Sequence, residues 1–141
     1  MKGFLVFSLA CLSLVIAPTT AMARHAKGGS ELYKRLGERK GIAKLVDNFV
    51  GRCATDDRIK GFFAKTASKP KRLAHFKKNL TDQICAAVGG PCKYRGKDMR
   101  RAHKGMGIEE SHFNALVEDL VASLDEFKVQ EADKQATLSH A

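Results

Sequence analysis

At 141 residues the chain has room for one domain built on one modest core. Its 44% hydrophobic and 28% charged residues are ordinary for a globular protein and argue against a disordered chain, and the lack of Trp with only three Pro argues against a small β-sandwich. A net charge of +10 favours anions in general, but the cations are spread along the chain without aromatic interleaving, so no nucleic-acid partner is expected.

In chain order, Met1-Lys2 is a positive start, and Phe4 to Ala17 form an apolar run broken by Ser8 and Ser13. Pro18-Thr19-Thr20 then leads to Ala21-Met22-Ala23, an A-x-A pattern. This order reads as a secretory signal peptide over residues 1–23, cleaved after Ala23. The alternative, a membrane anchor, needs roughly 20 apolar residues, and this run has only about 14. Cys11 lies inside the run, not at its end, which argues against lipidation. The expected destination is the periplasm, across the inner membrane, with no stable membrane insertion after cleavage. Residues 24–30 read as a polar, flexible leader and residues 31–141 as the folded domain.

Ser30-Glu31 opens a short helix carrying Leu32, Tyr33 and Leu36, which Gly37 ends. Ile42, Leu45, Val46, Phe49, Val50 and Cys53 recur at offsets of three and four, the mark of one buried helix face. Asp56-Asp57 breaks that helix, Gly61-Phe62-Phe63 begins an irregular connection, and Lys65 to Lys71 read as a loop or a weak first turn. A second strong helix places Leu73, Phe76, Leu80, Ile84, Cys85 and Val88 on one side and must stop at Gly89-Gly90-Pro91. Tyr94 to Lys97 is a turn, and Asp98 caps a short helix from Met99 to Lys104 that Gly105 and Gly107 close. Glu109-Glu110 suits the positive start of the next helix, expected to bury Phe113, Leu116, Val117, Leu120, Val121, Leu124 and Phe127. A weaker final helix, Glu131 to His140, has only Ala132, Ala136 and Leu138 to bury. No stretch alternates with period two, so the domain is all-α.

Cleavage would leave Cys53, Cys85 and Cys92 in an oxidising compartment, where disulfides persist. The chain reverses between Cys85 and Cys92, so a bond joining them is expected. Cys53, on an apolar helix face, reads as a small buried residue. His103 ends the short capped helix one turn after Met99. A neutral imidazole in apolar surroundings is a good iron ligand, although a lone histidine on such a face is more often structural.

The string Gly89-Gly90-Pro91-x-Lys93-Tyr94-x-Gly96-x-Asp98-Met99-x-x-Ala102-His103-x-Gly105-x-Gly107-Ile108, followed by Phe113, resembles the motif of group I truncated haemoglobins. Leu32-Tyr33-x-x-Leu36-Gly37, the Gly41-Ile42 helix start, Asp56-Asp57-Arg58-Ile59 and the Phe62-Phe63 pair are similar too, and the likeness spans residues 31–127. The resemblance implies a truncated globin-like two-over-two helical sandwich around haem b. In it His103 is the proximal iron ligand and Phe63 packs on the porphyrin. Tyr94 and Met99 are implied contacts on the proximal segment, and Lys93, Arg100 and Lys78 are candidates for the haem propionates.

Departures from the family pattern fall where function is tuned. Val50 stands where many members carry Tyr, and Leu80 where many carry Gln. Counting back from Gly89, the distal wall is Phe76, Asn79, Leu80 and Ile84, with a few extra residues before Leu73. Such a wall offers bound dioxygen few hydrogen bonds, so faster release and easier autoxidation are expected. His75 either points to solvent or, with a small register change, ligates iron from the distal side. The resemblance thus implies a protein that reversibly binds oxygen, NO or CO, with an unspecified redox partner. Its alternatives are nitric oxide dioxygenation or peroxidase-like turnover, a six-coordinate electron-transfer or sensor protein, and a helical module without cofactor.

Overall fold

Ser30 is where the described structure begins: the computed structural model describes residues 30–140. The signal peptide expected over 1–23, and the leader up to residue 29, lie outside the described residues. Ser30 itself is not slack. Its Oγ accepts from the Tyr33 amide at 3.1 Å and donates to the Val88 carbonyl, which pins the start of the fold to the end of a distant helix. Helix α1 (Glu31–Arg35) follows from this cap, and Gly37, with φ +81°, turns the chain into α2 (Glu38–Thr55).

Helix α2 is the hub of the core. Ile42, Leu45, Val46, Phe49, Val50 and Cys53 are all buried, the face that their spacing predicts. Helix α4 (Pro70–Ala87) packs across it and buries Ile84 and Cys85, whereas Leu73, Phe76 and Leu80 in its first half are only partly covered. Helix α6 (Glu110–Glu126) also packs on α2, and α7 (Glu131–His140) packs on α4. Two helices thus lie over two, with no strand among the described residues.

Three expectations are corrected. The connection expected to be irregular from Gly61 is a helix, α3 (Lys60–Ala67), and Pro70 sits at the first position of α4. Proline is well suited there because no amide donor is required of it. Eight residues are too few for a periodic signal. The ring contacts of Phe62 with His112 (5.0 Å) and Phe63 with Phe76 (6.1 Å) hold α3 in place from outside it.

The second correction concerns α6. It buries Ala115, Leu120, Ser123 and Leu124, while Phe113 and Phe127 are 58% and 39% exposed. The apolar set read from the sequence is wider than one face, and small residues at 115 and 123 let the helix lie close on its neighbours.

The third concerns α7, which docks by charge. Arg35 Nε and Nη2 donate to the two carboxylate oxygens of Asp133, each at 2.8 Å, and Asp133 and Thr137 are the residues that α7 buries. Lys134, paired with Asp125 at 2.6 Å, ties the same helix back to α6.

A pH dependence follows. The hydrogen bonds from Arg35 hold the Asp133 carboxyl below its ordinary range, and Lys78 and then Arg39 do the same for Asp82. A carboxyl depressed in the folded state stabilises the fold above its unfolded value, about pH 4, and that contribution is lost as pH falls through the folded value. Acidification below about pH 4 is therefore expected to release α7. In Asp133→Asn, amide exchange over residues 131–140 should already be fast at neutral pH, with α2 unchanged. Equal protection in both proteins would refute the role of this ion pair.

Candidate functional site

The site begins with the stop at the end of α4. Gly89 has φ +81°, and a Cβ on Gly90 would lie 2.6 Å from both Cys85 Sγ and the Tyr33 ring. Only glycine fits a chain folded this tightly over a buried sulfur. Cys85 is bonded to Cys92, their Cα atoms 5.7 Å apart, and residues 92–98 then run without helix to α5 (Met99–His103). The Tyr94 hydroxyl donates to the Lys97 carbonyl at 2.6 Å, and Asp98 caps α5 by accepting from the Arg101 amide at 3.0 Å. Contact with α4 comes through Gln83 Nε2, which lies 3.3 Å from Met99 Sδ.

On this segment His103 Nδ1 lies 2.7 Å from the Met99 carbonyl oxygen. A carbonyl only accepts, so Nδ1 carries the proton, and in its neutral form the ring has its lone pair on Nε2. That is the tautomer of a histidine prepared to ligate a metal, with its orientation set by a second hydrogen bond. Among the described residues no group of three or more His, Cys, Asp or Glu could hold a bare ion. An ion bound by His103 alone must therefore arrive with its other ligands.

The surroundings fit such a group. Met99 (40% exposed), Ile108 (42%) and Phe113 (58%) are large apolar side chains left open to solvent, all within ten residues of His103 in the chain. Exposed apolar side chains of this size around one histidine in the chain fit a surface that something apolar covers. On α4, Phe76 and Leu80 are likewise half-covered, and Phe63 packs edge-on to Phe76. Val50 and Ile84 are buried. A flat apolar macrocycle carrying a metal matches both the exposed apolar side chains and the single nitrogen donor.

Other candidates are placed differently. His75 is exposed and its Nε2 lies 3.0 Å from Asn79 Nδ2, an amide donor that occupies the lone pair a distal ligand would use. Asn79 is thereby engaged at the same edge of α4. Lys78 is paired with the buried carboxylate of Asp82 at 2.8 Å, which Arg39 shares. Lys93 and Arg100 are exposed and form no ion pair among the described residues.

A small cavity of about 100 Å³ lies between α2, α3 and α4, lined by Val50, Ala54, Phe63, Leu73 and Lys77. It shares Val50 and Phe63 with the expected distal wall and does not include His103. Cys53 is fully buried. Burial, and then the nearby Asp119 carboxylate, push its thiol up to about 12, so it is no nucleophile. His112, which reads as an ordinary polar residue, caps α6 by accepting the Glu109 amide at 3.1 Å and stacks edge-on against Phe62. Its position three residues after Glu109 was the available signal.

Comparison with known proteins agrees with this geometry. The family model described as "Bacterial-like globin" matches residues 31–140. A group 1 truncated haemoglobin of Synechocystis is 43% identical over 106 residues, covering 72% of this chain and 82% of that protein. One from Tetrahymena pyriformis is 37% identical over 101 residues, covering 72% and 79%. The crystal structure of the Tetrahymena pyriformis protein in its Fe(III) form superposes with a TM-score of 0.68 at 33% identity, covering 77% of this chain and 88% of that one. The Synechococcus 2/2 haemoglobin, solved with covalently attached haem, gives 0.70 at 29% identity, covering 79% and 89%. With its two-over-two helices and its outward-facing imidazole on a glycine-bounded segment, the chain belongs to the group 1 truncated haemoglobins.

Proposed function

We propose that this protein reversibly binds a diatomic gas, oxygen and also NO or CO, at a haem iron ligated by His103. The protein is a haem-binding globin with haem b as its cofactor. The observation that carries the reading is His103: its Nδ1 is committed to the Met99 carbonyl, while exposed apolar side chains stand on either side of it in the chain. Bound haem would supply an iron able to take the His103 imidazole and a diatomic gas.

The chain's own residues set the rest. Met99, Ile108 and Phe113 would be the apolar side chains that the macrocycle covers, and Lys93 and Arg100, unpaired among the described residues, would be available to its propionates. Val50, Phe63, Phe76 and Leu80, read as the distal wall, have side chains of carbon alone, so a polar ligand there would find no hydrogen-bond donor among them. Dioxygenation and peroxidase-like turnover, which use such donors, have less support. The disulfide between Cys85 and Cys92 supports an exported, periplasmic protein, since such bonds persist in oxidising compartments.

Absorption spectra of the ferric, ferrous and carbonylated protein test the reading, with one haem per chain expected on titration. Colourless protein that takes up no haem would overturn it. Val50→Tyr should slow oxygen dissociation about tenfold, the worth of one hydrogen bond. An unchanged rate would show that Val50 does not face the bound gas.

A further inference from the structure

Residues 93–104 form the most densely charged segment around the site. They hold six cations (Lys93, Arg95, Lys97, Arg100, Arg101 and Lys104) and one acid, Asp98. All six cations are exposed. Asp98 pairs with Arg101 at 3.3 Å, and the other five have no ion-pair partner among the described residues. Elsewhere the buried carboxylates of Asp82 and Asp133 are matched by Arg39 with Lys78 and by Arg35, and Asp56 is matched by Arg58. Two propionates neutralise at most two of the five, which leaves a cationic surface on the segment that carries the iron ligand.

The segment is also held in shape. The Cys85–Cys92 bond anchors its start, the Tyr94 hydroxyl closes the turn onto Lys97, and the Asp98 cap sets α5. Charges fixed in this way attract a complementary surface with little ordering cost.

We propose that residues 93–104 are the docking surface for an acidic protein that delivers one electron to the ferric haem; this rests on the haem-globin function above. Oxygen is bound only by ferrous iron, and a distal wall without donors favours its oxidation, so the protein needs repeated reduction. In the step proposed, one electron leaves the reduced donor and ferric iron becomes ferrous, with no bond made or broken in this chain. A partner docked on the segment of His103 stands next to the iron's own ligand. An acidic protein fits better than a nucleic acid because Tyr94 is partly buried and its hydroxyl is bound to Lys97, leaving no stacking platform. It fits better than a bilayer because the exposed Met99 and Ile108 belong to the haem cradle and leave the cations without apolar anchors.

A second cationic stretch, Lys65, Lys69, Lys71 and Arg72, is exposed on α3 and the start of α4 and serves as the control. The probe is reduced flavodoxin, an acidic one-electron donor, mixed by stopped flow with the ferric haem-loaded protein under carbon monoxide. Arg95→Glu with Lys97→Glu should slow reduction about tenfold at low salt, and added salt should slow the wild type similarly. Lys69→Glu with Lys71→Glu, the same change in net charge, should stay within about twofold, and dithionite should reduce all three alike. In NMR titration of the carbonylated protein with flavodoxin, the shifted amides should lie in residues 93–104.

Equal slowing by both charge reversals would overturn the proposal, as it would reduce the effect to net charge. So would amide shifts that arise with phosphatidylglycerol vesicles and not with flavodoxin, or that fall outside the segment. A chain that takes up no haem overturns the functional reading as well, whereas a haem-loaded protein without these effects overturns the docking surface alone.

Discussion

His103→Gly purified from cells should be nearly colourless, and reconstituted with haem it should lose the cofactor at least about a hundredfold faster than the wild type. That factor is the upper range for merely disturbing a ligand's support. The argument rests on the tautomer. Because Nδ1 donates to the Met99 carbonyl, Nε2 is the nitrogen that this ring keeps for a metal, and α5 holds no second histidine. Added imidazole should restore a five-coordinate ferrous spectrum in the glycine variant, since the ring would fill the space it left. Haem transfer to apomyoglobin measures the loss. A variant with unchanged colour, ligation and haem retention would mean that iron is held elsewhere.

Replacing Cys85 and Cys92 together by serine should destabilise the protein by about 2.5 kcal/mol, the worth of closing so short a loop, and lower its melting temperature on the order of 10 °C. The effect should reach the site, because the bond ties the core to the segment leading to His103. Helix α5 is not among the helix pairs that pack extensively together, and this tether and the Gln83–Met99 contact link its segment to α4. Haem loss should therefore accelerate in the double serine variant, and in wild type treated with dithiothreitol. Gly90→Ala should be comparably harmful with the disulfide intact, since its Cβ would strike the Cys85 sulfur and the Tyr33 ring at 2.6 Å. Identical melting and haem-loss curves with and without reductant would remove the disulfide from this role.

Much of the molecule could be read along the chain. The buried face of α2 follows from its three-four spacing, and the stop of α4 follows from two glycines and a proline. The Asp98 cap and the position of His103 on a short isolated helix are likewise local matters, settled within a dozen residues. The features that escaped join distant residues. Arg35 and Asp133 are 98 positions apart, and Arg39 and Asp82 are 43 apart. Neither pair leaves a mark on the sequence near itself. Thr137 and Asp133 are buried where a hydropathy pattern assigns α7 little to bury, because ion pairing rather than apolar area docks that helix. Helix α3 escaped for the same reason, being held by rings on α4 and α6.

By itself the sequence determined the helical class, the ends of the main helices, the chain reversal at residues 89–91 and the likeness that singles out His103. Periodicity, capping and turn chemistry act over a few residues and are written there. Only the tertiary structure decided which half of each apolar set is buried and which stays open for a cofactor, as with Leu124 against Phe113 on α6. It alone gave His75 and Lys78 the partners Asn79 and Asp82. A side chain's hydrogen-bond partner and its exposure depend on what the rest of the fold brings beside it, and no local pattern encodes that.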